Sequence, residues 1–487
     1  MKNQRLASFV LASSLLASAA QAIDLIAIGT ISGTYEDFAT ETAFPLENGA
    51  AGNTLGGIGS GLAYAGGTTF LALPDRGPNA ISYNPLLDDT ASYIPRFHTL
   101  NLSLAPTVDP VTGLPFTLTP MLSRTTLLSS PSPLVYGTGA GLGNQIDGVT
   151  PIGSGVPILN SVDHTNYFTG RSDNFDASKP STNSKNARLD PEGIRISNDG
   201  QSVFISDEYG PFVYEFNRST GKRVRTFNLP ANLAITNLSP QSAVEIAGNK
   251  VGRVTNKGME GLAVTPDGKT LVGIMQANLE QDKKKSLRIV TIDVKSGTTH
   301  EYAYLLTDGS GVSEIVAIND HQFLIDERDG SGLGDTPKLT DVASPAAVKK
   351  LFVIDLTGAK DVTSIAGPNA DLSNYAVSKT LFLDFVAKLT AAGINAYLIP
   401  SKIEGVAFGP DVTINGETKH TLYISNDNDF LATVADPFKS PGDSTRGKIA
   451  NPNQIYVFAF TDAELPGFVP QKIKPQHDDD HGRDCRD

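Results

Sequence analysis

The sequence predicts an all-β protein: a β-propeller of five to six four-stranded blades, closed by an N-terminal strand, with long loops and one inserted helix. Three observations carry this. Short alternating strands bounded by Gly, Asn and Asp turns dominate the chain, as in IRIS, SVFISD, FVYEF and RVRTF between residues 193 and 227. That four-stranded unit recurs with variable insertions: GSGLAYAGGTTFLALPDRGP from Gly59, EGLAVTPDGKTLVGIMQ from Glu260, SEIVAINDHQFLIDERDG from Ser313 and EGVAFGP from Glu404 leading to TLYISNDND. Finally, the strand DLIAIGTIS, Asp24 to Ser32, has no blade of its own, and pairing it with the blade containing QIYVFAF would close the ring. Separate sandwich hairpins would share the alternation but not the recurrence of the whole unit.

Between the repeats, residues 128 to 188 and 231 to 256 are Gly, Ser, Asn and Pro rich and read as long loops, with room for a sixth blade in the first. DFVAKLTAAGINAYLI, 384 to 399, reads as the inserted helix. One domain is therefore expected over 23 to 470. Residues 1 to 22 carry Lys2 and Arg5, an apolar stretch and Ala20-Gln21-Ala22, the pattern of a secretory signal peptide, so a secreted or periplasmic location is expected. Residues 471 to 487, ending HDDDHGRDCRD, read as a disordered acidic tail. A single cysteine, Cys485, excludes an intrachain disulfide.

A net charge of -13, from 52 acids and 39 bases, disfavours nucleic acid and anionic membrane as partners and favours cations. Each antiparallel hairpin brings the start of its first strand beside the end of its second, so acids at both ends share one face of the ring. Glu192, Glu260, Glu314 and Glu404 are expected to converge at one mouth of the axial channel, with Asp75, Asp207, Glu208, Asp326, Glu327 and Asp427 just outside them and Gly61 and Gln276 at two positions without an acid. Unpaired charges 4 Å apart repel by about 4 kcal/mol at an effective dielectric of 20. The acids therefore need bases, protons or a metal, and the oxygen-only donor set favours calcium. Arg76, Arg195, Lys257 and Arg328 supply local bases, so a purely structural network of ion pairs is the competing reading. In the functional reading, Glu192, Asp207 and Glu208 are the catalytic candidates. Asp75, Glu192, Asp207, Glu260, Glu314, Asp326, Glu327, Glu404 and Asp427 are the metal candidates, and Arg76, Arg171, Lys257, Arg328 and Tyr209 would bind a small anionic ester. No G-x-S-x-G elbow is present, which disfavours a serine triad.

The segments TGRSDNFD (169 to 176), RLDPEGIRISNDGQSVFISDEYGPFVYEF (188 to 216), MEGLAVTPDGKTL (259 to 271) and KIEGVAF (402 to 408) resemble the exported phytase-like family described as having esterase-like activity of phytase. The chain is also distantly similar to bacterial β-propeller phytases, which use calcium in an acidic channel. The resemblance implies a propeller and hydrolysis of phosphoric or carboxylic esters. Three functions follow: a metal-dependent ester hydrolase, with phosphate esters as one candidate substrate class; a calcium-dependent lactonase-like propeller; or a propeller that binds a ligand without turnover.

Overall fold

The computed structural model describes residues 23–79, 91–137, 155–365 and 371–474. Five four-stranded antiparallel sheets make up the fold. Blade 1 consists of Gly61–Gly66, Thr69–Leu73, Arg96–Ala105 and Thr117–Leu127. Blade 2 runs through Pro191–Ile196, Ser202–Asp207, Phe212–Asn217 and Arg223–Asn228, and blade 3 through Met259–Val264, Thr270–Met275, Ser286–Asp293 and Thr299–Leu305. Blade 4 is Gly311–Ala317, Gln322–Arg328, Lys349–Asp355 and Lys379–Asp384. Blade 5 contains Lys402–Ile414, Glu417–Asp427 and Asn453–Phe460, and its outer strand is the N-terminal Asp24–Ile31. The expected closure is therefore present: Asp24 pairs with Ala459 and Ile31 with Asn453, so the two ends of the propeller are hydrogen-bonded to each other.

Alternation explains why these strands stack as blades. Each sheet has two apolar faces and buries each against a neighbour. Ile194, Val203 and Ile205 of blade 2 pack with Leu71 and Leu73 of blade 1, while Phe204 and Val213 on its opposite face pack with Leu262 and Leu271 of blade 3. Equivalent clusters fill the other three gaps, the last joining Ile26 and Tyr423 of blade 5 to Phe70 and Leu100 of blade 1. The turn at Asn198-Asp199-Gly200 uses glycine at φ +75°, and the same turn in blade 3 uses Gly268 at φ +73°.

The insertions differ in detail from expectation. The segment 384 to 399 is a short helix, Phe385–Ala391, capped by Asp384 accepting from Ala387 N at 2.9 Å, and a separate 3-10 turn, Ala396–Leu398. Gly393 at φ +87° ends the first helix. Within 128 to 188 the described residues hold a helix, Ile158–Asp163, and a two-stranded pair, with no sixth blade among them; residues 138 to 154 lie outside the description. A helix at Ser242–Gly248 occupies part of the second long loop. The expected signal peptide, 1 to 22, and most of the expected acidic tail, 475 to 487, also lie outside the described residues. Its first residues are held on blade 2, where Gln471 Nε2 donates to Ile196 O at 2.8 Å.

At the centre, the inner strands are braced by one buried ion pair. Arg195 Nη1 donates to Leu62 O of blade 1 (2.7 Å) and Ile194 O of blade 2 (2.6 Å); Nη2 donates to Ile315 O of blade 4 (2.9 Å) and Val406 O of blade 5 (3.4 Å). Its charge is met by Glu314 Oε2 at 2.9 Å, and Glu314 Oε1 accepts from Leu262 N of blade 3 at 3.1 Å. All five blades are thus tied at the axis. Removing one member of a buried pair leaves its partner's charge uncompensated, so Arg195→Met is expected to cost about 3–5 kcal/mol in urea unfolding. Adding Glu314→Gln should recover part of that loss, and a double variant as unstable as the sum of the singles would show that the pair is not the brace.

Candidate active site

The mouth is built by a register irregularity repeated around the ring. In blade 2, Pro191 pairs with Asp207 but the next pair is Ile194 with Ile205. Blade 3 goes from Met259–Met275 to Gly261–Ile274, and blade 5 from Ile403–Asn426 to Val406–Ile424. Bulges of this kind re-aim a side chain. Glu192, Glu260 and Glu404 occupy them, and all three are buried. The following residue is glycine in each blade because the next blade abuts it: a Cβ at Gly193 would lie 2.7 Å from Leu262 N, and one at Gly261 2.5 Å from Ile315 N.

Blade 4 breaks this phase. Val312 pairs with Glu327 and Glu314 with Asp326, so the bulge holds Ser313, and Glu314 takes the glycine position. Glu314 consequently leaves the expected ring and points into the axis, toward Arg195. Gly61 in blade 1 likewise corresponds to the glycines, since it pairs with Leu73 and a Cβ there would lie 2.5 Å from Glu192 O.

The same register places a second ring one residue past the paired position of each second strand: Asp75, Glu208, Gln276, Arg328 and Asp427. Gln276 Nε2 donates to Glu260 Oε1 at 2.7 Å, and Arg328 Nη2 pairs with Glu404 Oε1 at 2.5 Å. Three groups absent from the sequence-derived set join them. Asp190 holds Arg76 through its side chain (2.6 Å) and backbone N–H (3.1 Å), while Lys402 bridges Asp427 (2.7 Å) and Asp429 (2.5 Å). Asp190 lies two residues before Glu192, and Asp429 two after Asp427, so the DPEG and NDND runs contained the signal.

Two clusters result: Asp190, Glu192 and Glu208, and Asp75, Asp427 and Asp429, each with carboxylate oxygens within 4.8 Å of one another. With Glu260 and Glu404 they make eight carboxyl groups facing Arg76, Arg328 and Lys402. Burial, then repulsion from Glu260 and Asp190, raises Glu192 well above the usual carboxyl range, and burial with Asp190 and Glu260 does the same to Glu208. Glu260 is pushed up to about 8 by burial and Glu404; Asp75 and Asp427 are raised to about 7, chiefly by burial. Asp429 is lowered: burial pushes it up, and Lys402, with Arg76 and Arg328, more than reverses this. Glu260 Oε2 has no hydrogen-bond partner. Such an orphaned buried oxygen, within an oxygen-only donor set, fits a hard cation such as calcium.

The remaining expected residues are distributed differently. Asp207 is raised to about 7 by burial and accepts from the backbone N–H groups of Asp190 (3.2 Å) and Tyr209 (3.1 Å), which fixes the loop carrying the first cluster. Asp326 faces the gap between blades 4 and 5 with neither oxygen hydrogen-bonded, and burial raises it strongly. Glu327 stands apart on the other face of its strand, bonded by Tyr304, Lys379 and the N–H groups of Asp308 and Gly309. Arg171 is held by Asp173 at 2.6 and 2.8 Å, the Tyr209 hydroxyl donates to Gly170 O at 3.1 Å, and Lys257 is exposed.

A five-bladed propeller whose inner strands deliver carboxylates from several blades to one axial mouth is the class that fold and site define. The chain belongs to the phytase-like family, described as esterase-like activity of phytase, which it matches over residues 53–430. An uncharacterized secreted protein of Arthroderma benhamiae is 28% identical over 311 residues, which cover 56% of this chain and 57% of that relative. The periplasmic gluconolactonase of Pseudomonas aeruginosa is similar over 90% of this chain and 99% of its own at 10% identity and a TM-score of 0.31; the hydrazine synthase of Kuenenia stuttgartiensis is similar over 77% and 78% at 13% identity and 0.29. At those scores neither bears on the chemistry of this chain. Among the described residues no helix is long and apolar enough to cross a membrane.

The raised carboxyl groups set the sign of a pH effect. Between the ordinary carboxyl range near about 4 and the folded values of 7 to 8, the folded chain binds more protons than the unfolded one, so stability falls as pH rises through this window. In chelator, the calorimetric midpoint should therefore drop from about pH 5 to about pH 8, and added calcium should raise it most at the higher pH. A midpoint that is flat or rising with pH in chelator would contradict the protonated mouth.

Proposed function

We propose that the protein is an exported, metal-dependent ester hydrolase of phytase-like type, acting on phosphate esters at the acidic mouth. The observation that supports it most is the convergence of two three-carboxylate clusters beside the unpartnered Glu260 Oε2. Membership of the phytase-like family supports ester hydrolysis, and export is supported by the secreted relative together with the first 22 residues.

Asp190, Glu192 and Glu208 would hold one calcium ion, and Asp75, Asp427 and Asp429 a second. Bound calcium supplies Lewis-acid polarisation of the ester and a lowered pKa for the attacking water. The chain's own groups do the rest. Arg76, fixed by Asp190, and Arg328, fixed by Glu404, present guanidinium groups to the non-reacting anionic oxygens. Glu192 and Glu208, which burial and neighbouring acids hold protonated well above the usual range while no cation is bound, would be ionised as calcium ligands and would orient the attacking water. Asp207 and the buried Tyr209 position the loop that carries Glu208.

The test joins metal analysis of the purified protein to a panel of phosphate esters, carboxylic esters and lactones. Phosphate-ester turnover should be present, be abolished by chelation and restored by calcium. Glu192→Gln should lower kcat at least about 100-fold with the fold intact by circular dichroism. Turnover of lactones alone would favour the lactonase-like reading, and no turnover with calcium bound would leave a binding propeller.

A further inference from the structure

One position of the inner strand carries opposite charges in two blades. Counting back two residues from the mouth glutamate gives Asp190 in RLDPEG of blade 2, Gly258 in NKGMEG of blade 3 and Lys402 in SKIEG of blade 5. Asp190 adds an acid to the first carboxylate cluster. Lys402, paired in register with Asp427, puts an ammonium into the second.

That ammonium already takes the place of a cation. Its Nζ lies 2.7 Å from Asp427 Oδ2 and 2.5 Å from Asp429 Oδ1, and these are two of the three residues whose oxygens converge there. The other Asp427 oxygen accepts from Asp429 N at 2.7 Å, and Asp75 Oδ1 accepts from Gly77 N at 2.9 Å. A divalent ion among these carboxylates would stand within a few ångströms of a positive charge, and like charges at that range repel. The first cluster differs. Arg76 Nη1 holds Asp190 at 2.6 Å but stands 3.9 Å from Glu208, and among the described residues Glu192 and Glu260 have no ion-pair partner. Glu260 Oε2, buried and without a hydrogen-bond partner, adds a ready oxygen beside them. Calcium takes about six to eight oxygens, so it favours the set less engaged by a base.

We propose that Lys402 is an internal cation that makes the two clusters unequal: a divalent ion settles first at Asp190, Glu192 and Glu208, and one enters Asp75, Asp427 and Asp429 only by displacing the lysine ammonium. This rests on the reading of the mouth as a calcium site, and adds the order in which it fills and the residue that sets that order. No covalent bond changes. The ammonium keeps its proton and swings toward solvent, which a side chain already 29% exposed can reach. Calcium concentration then selects between a one-ion mouth that retains the Lys402 charge and a two-ion mouth that has lost it.

The experiment titrates calcium calorimetrically into the purified, chelator-treated protein as wild type, Lys402→Met, Lys402→Arg and Glu192→Gln. In the wild type the second binding step should be at least about tenfold weaker than the first. Lys402→Met should strengthen that step at least about tenfold, or create it where the wild type shows one step only, and Lys402→Arg should leave it weak. Glu192→Gln should weaken the strong step alone. Equal steps in the wild type, or a weak step that Lys402→Met leaves unchanged, would overturn the proposal. Acetylation followed at Lys402 by mass spectrometry needs no variant to fold. In the wild type its rate should stay low without calcium and at one equivalent, and rise several-fold as the second step fills; a rate that stays low with that step filled would overturn the displacement. If no calcium binds, the metal-dependent reading fails and takes this inference with it. Unequal steps that answer to Lys402, with no ester turned over, would uphold the inference while the hydrolase reading fails.

Discussion

A guanidinium on a propeller axis cannot be left unpaired, and the way Arg195 is satisfied organises the molecule. Its donors reach carbonyls of blades 1, 2, 4 and 5, and its counter-ion, Glu314, accepts from blade 3. The braced residues are Leu62, Ile194, Leu262, Ile315 and Val406. Each lies two positions beyond Ser60, Glu192, Glu260, Ser313 and Glu404, the positions around the mouth. Since a strand advances about 3.3 Å per residue, fixing the braced carbonyls fixes where the mouth side chains emerge. Hydrophobic packing between blades supplies most of the adhesion, but it is non-directional and would tolerate small shears. The ion pair supplies direction.

The blades were legible in the sequence because their period is local: alternation over six residues, then a turn, is a property of adjacent residues. Closure by Asp24–Ile31 was legible because an unpaired strand needs a partner. What escaped was phase. Glu314 looks like Glu192, Glu260 and Glu404 at the head of its strand, and only the glycine that follows the other three, and is missing after Glu314, reveals a one-residue offset. A glycine that must admit the neighbouring blade is a steric fact about two blades, which one strand does not display. Arg195 reads in the chain as one more base near the acids, and its role depends on carbonyls up to 211 residues away. Asp190, Asp429 and Lys402 were missed because equivalent positions in the other blades do not repeat them.

The electrostatics follow from the same phase. Alternation sends Glu192, Glu208 and Asp427 to the axis while Asp207 and Glu327, paired with the residues just before the bulges, turn toward the blade faces. There they meet backbone N–H groups and, for Glu327, Lys379. Acids at the mouth meet each other. Three cations offset only part of eight carboxyl groups, so protons or bound cations must make up the difference. Competition between a proton and a cation for one oxygen set makes cation binding depend on pH.

The segment that follows Asp427 is joined to this charge. Asp429 and Phe430 both have left-handed backbones, at φ 52° and 56°, a conformation that costs non-glycine residues about 1–3 kcal/mol each and persists only where surroundings enforce it. The enforcement is visible. Asp429 N donates to Asp427 Oδ1 at 2.7 Å, Phe430 N to Asn428 Oδ1 at 3.2 Å, and Gly57 N to that same oxygen at 2.8 Å. Lys402 holds Asp429 and Asp427 together. The ring of Phe430, packed on Tyr93, is therefore placed by the very carboxylates that form the second cluster. The hydrogen bonds of Asp427, Asn428 and Asp429 thus carry the position of the second cluster to an aromatic contact, Phe430 on Tyr93, outside the strands of the blades.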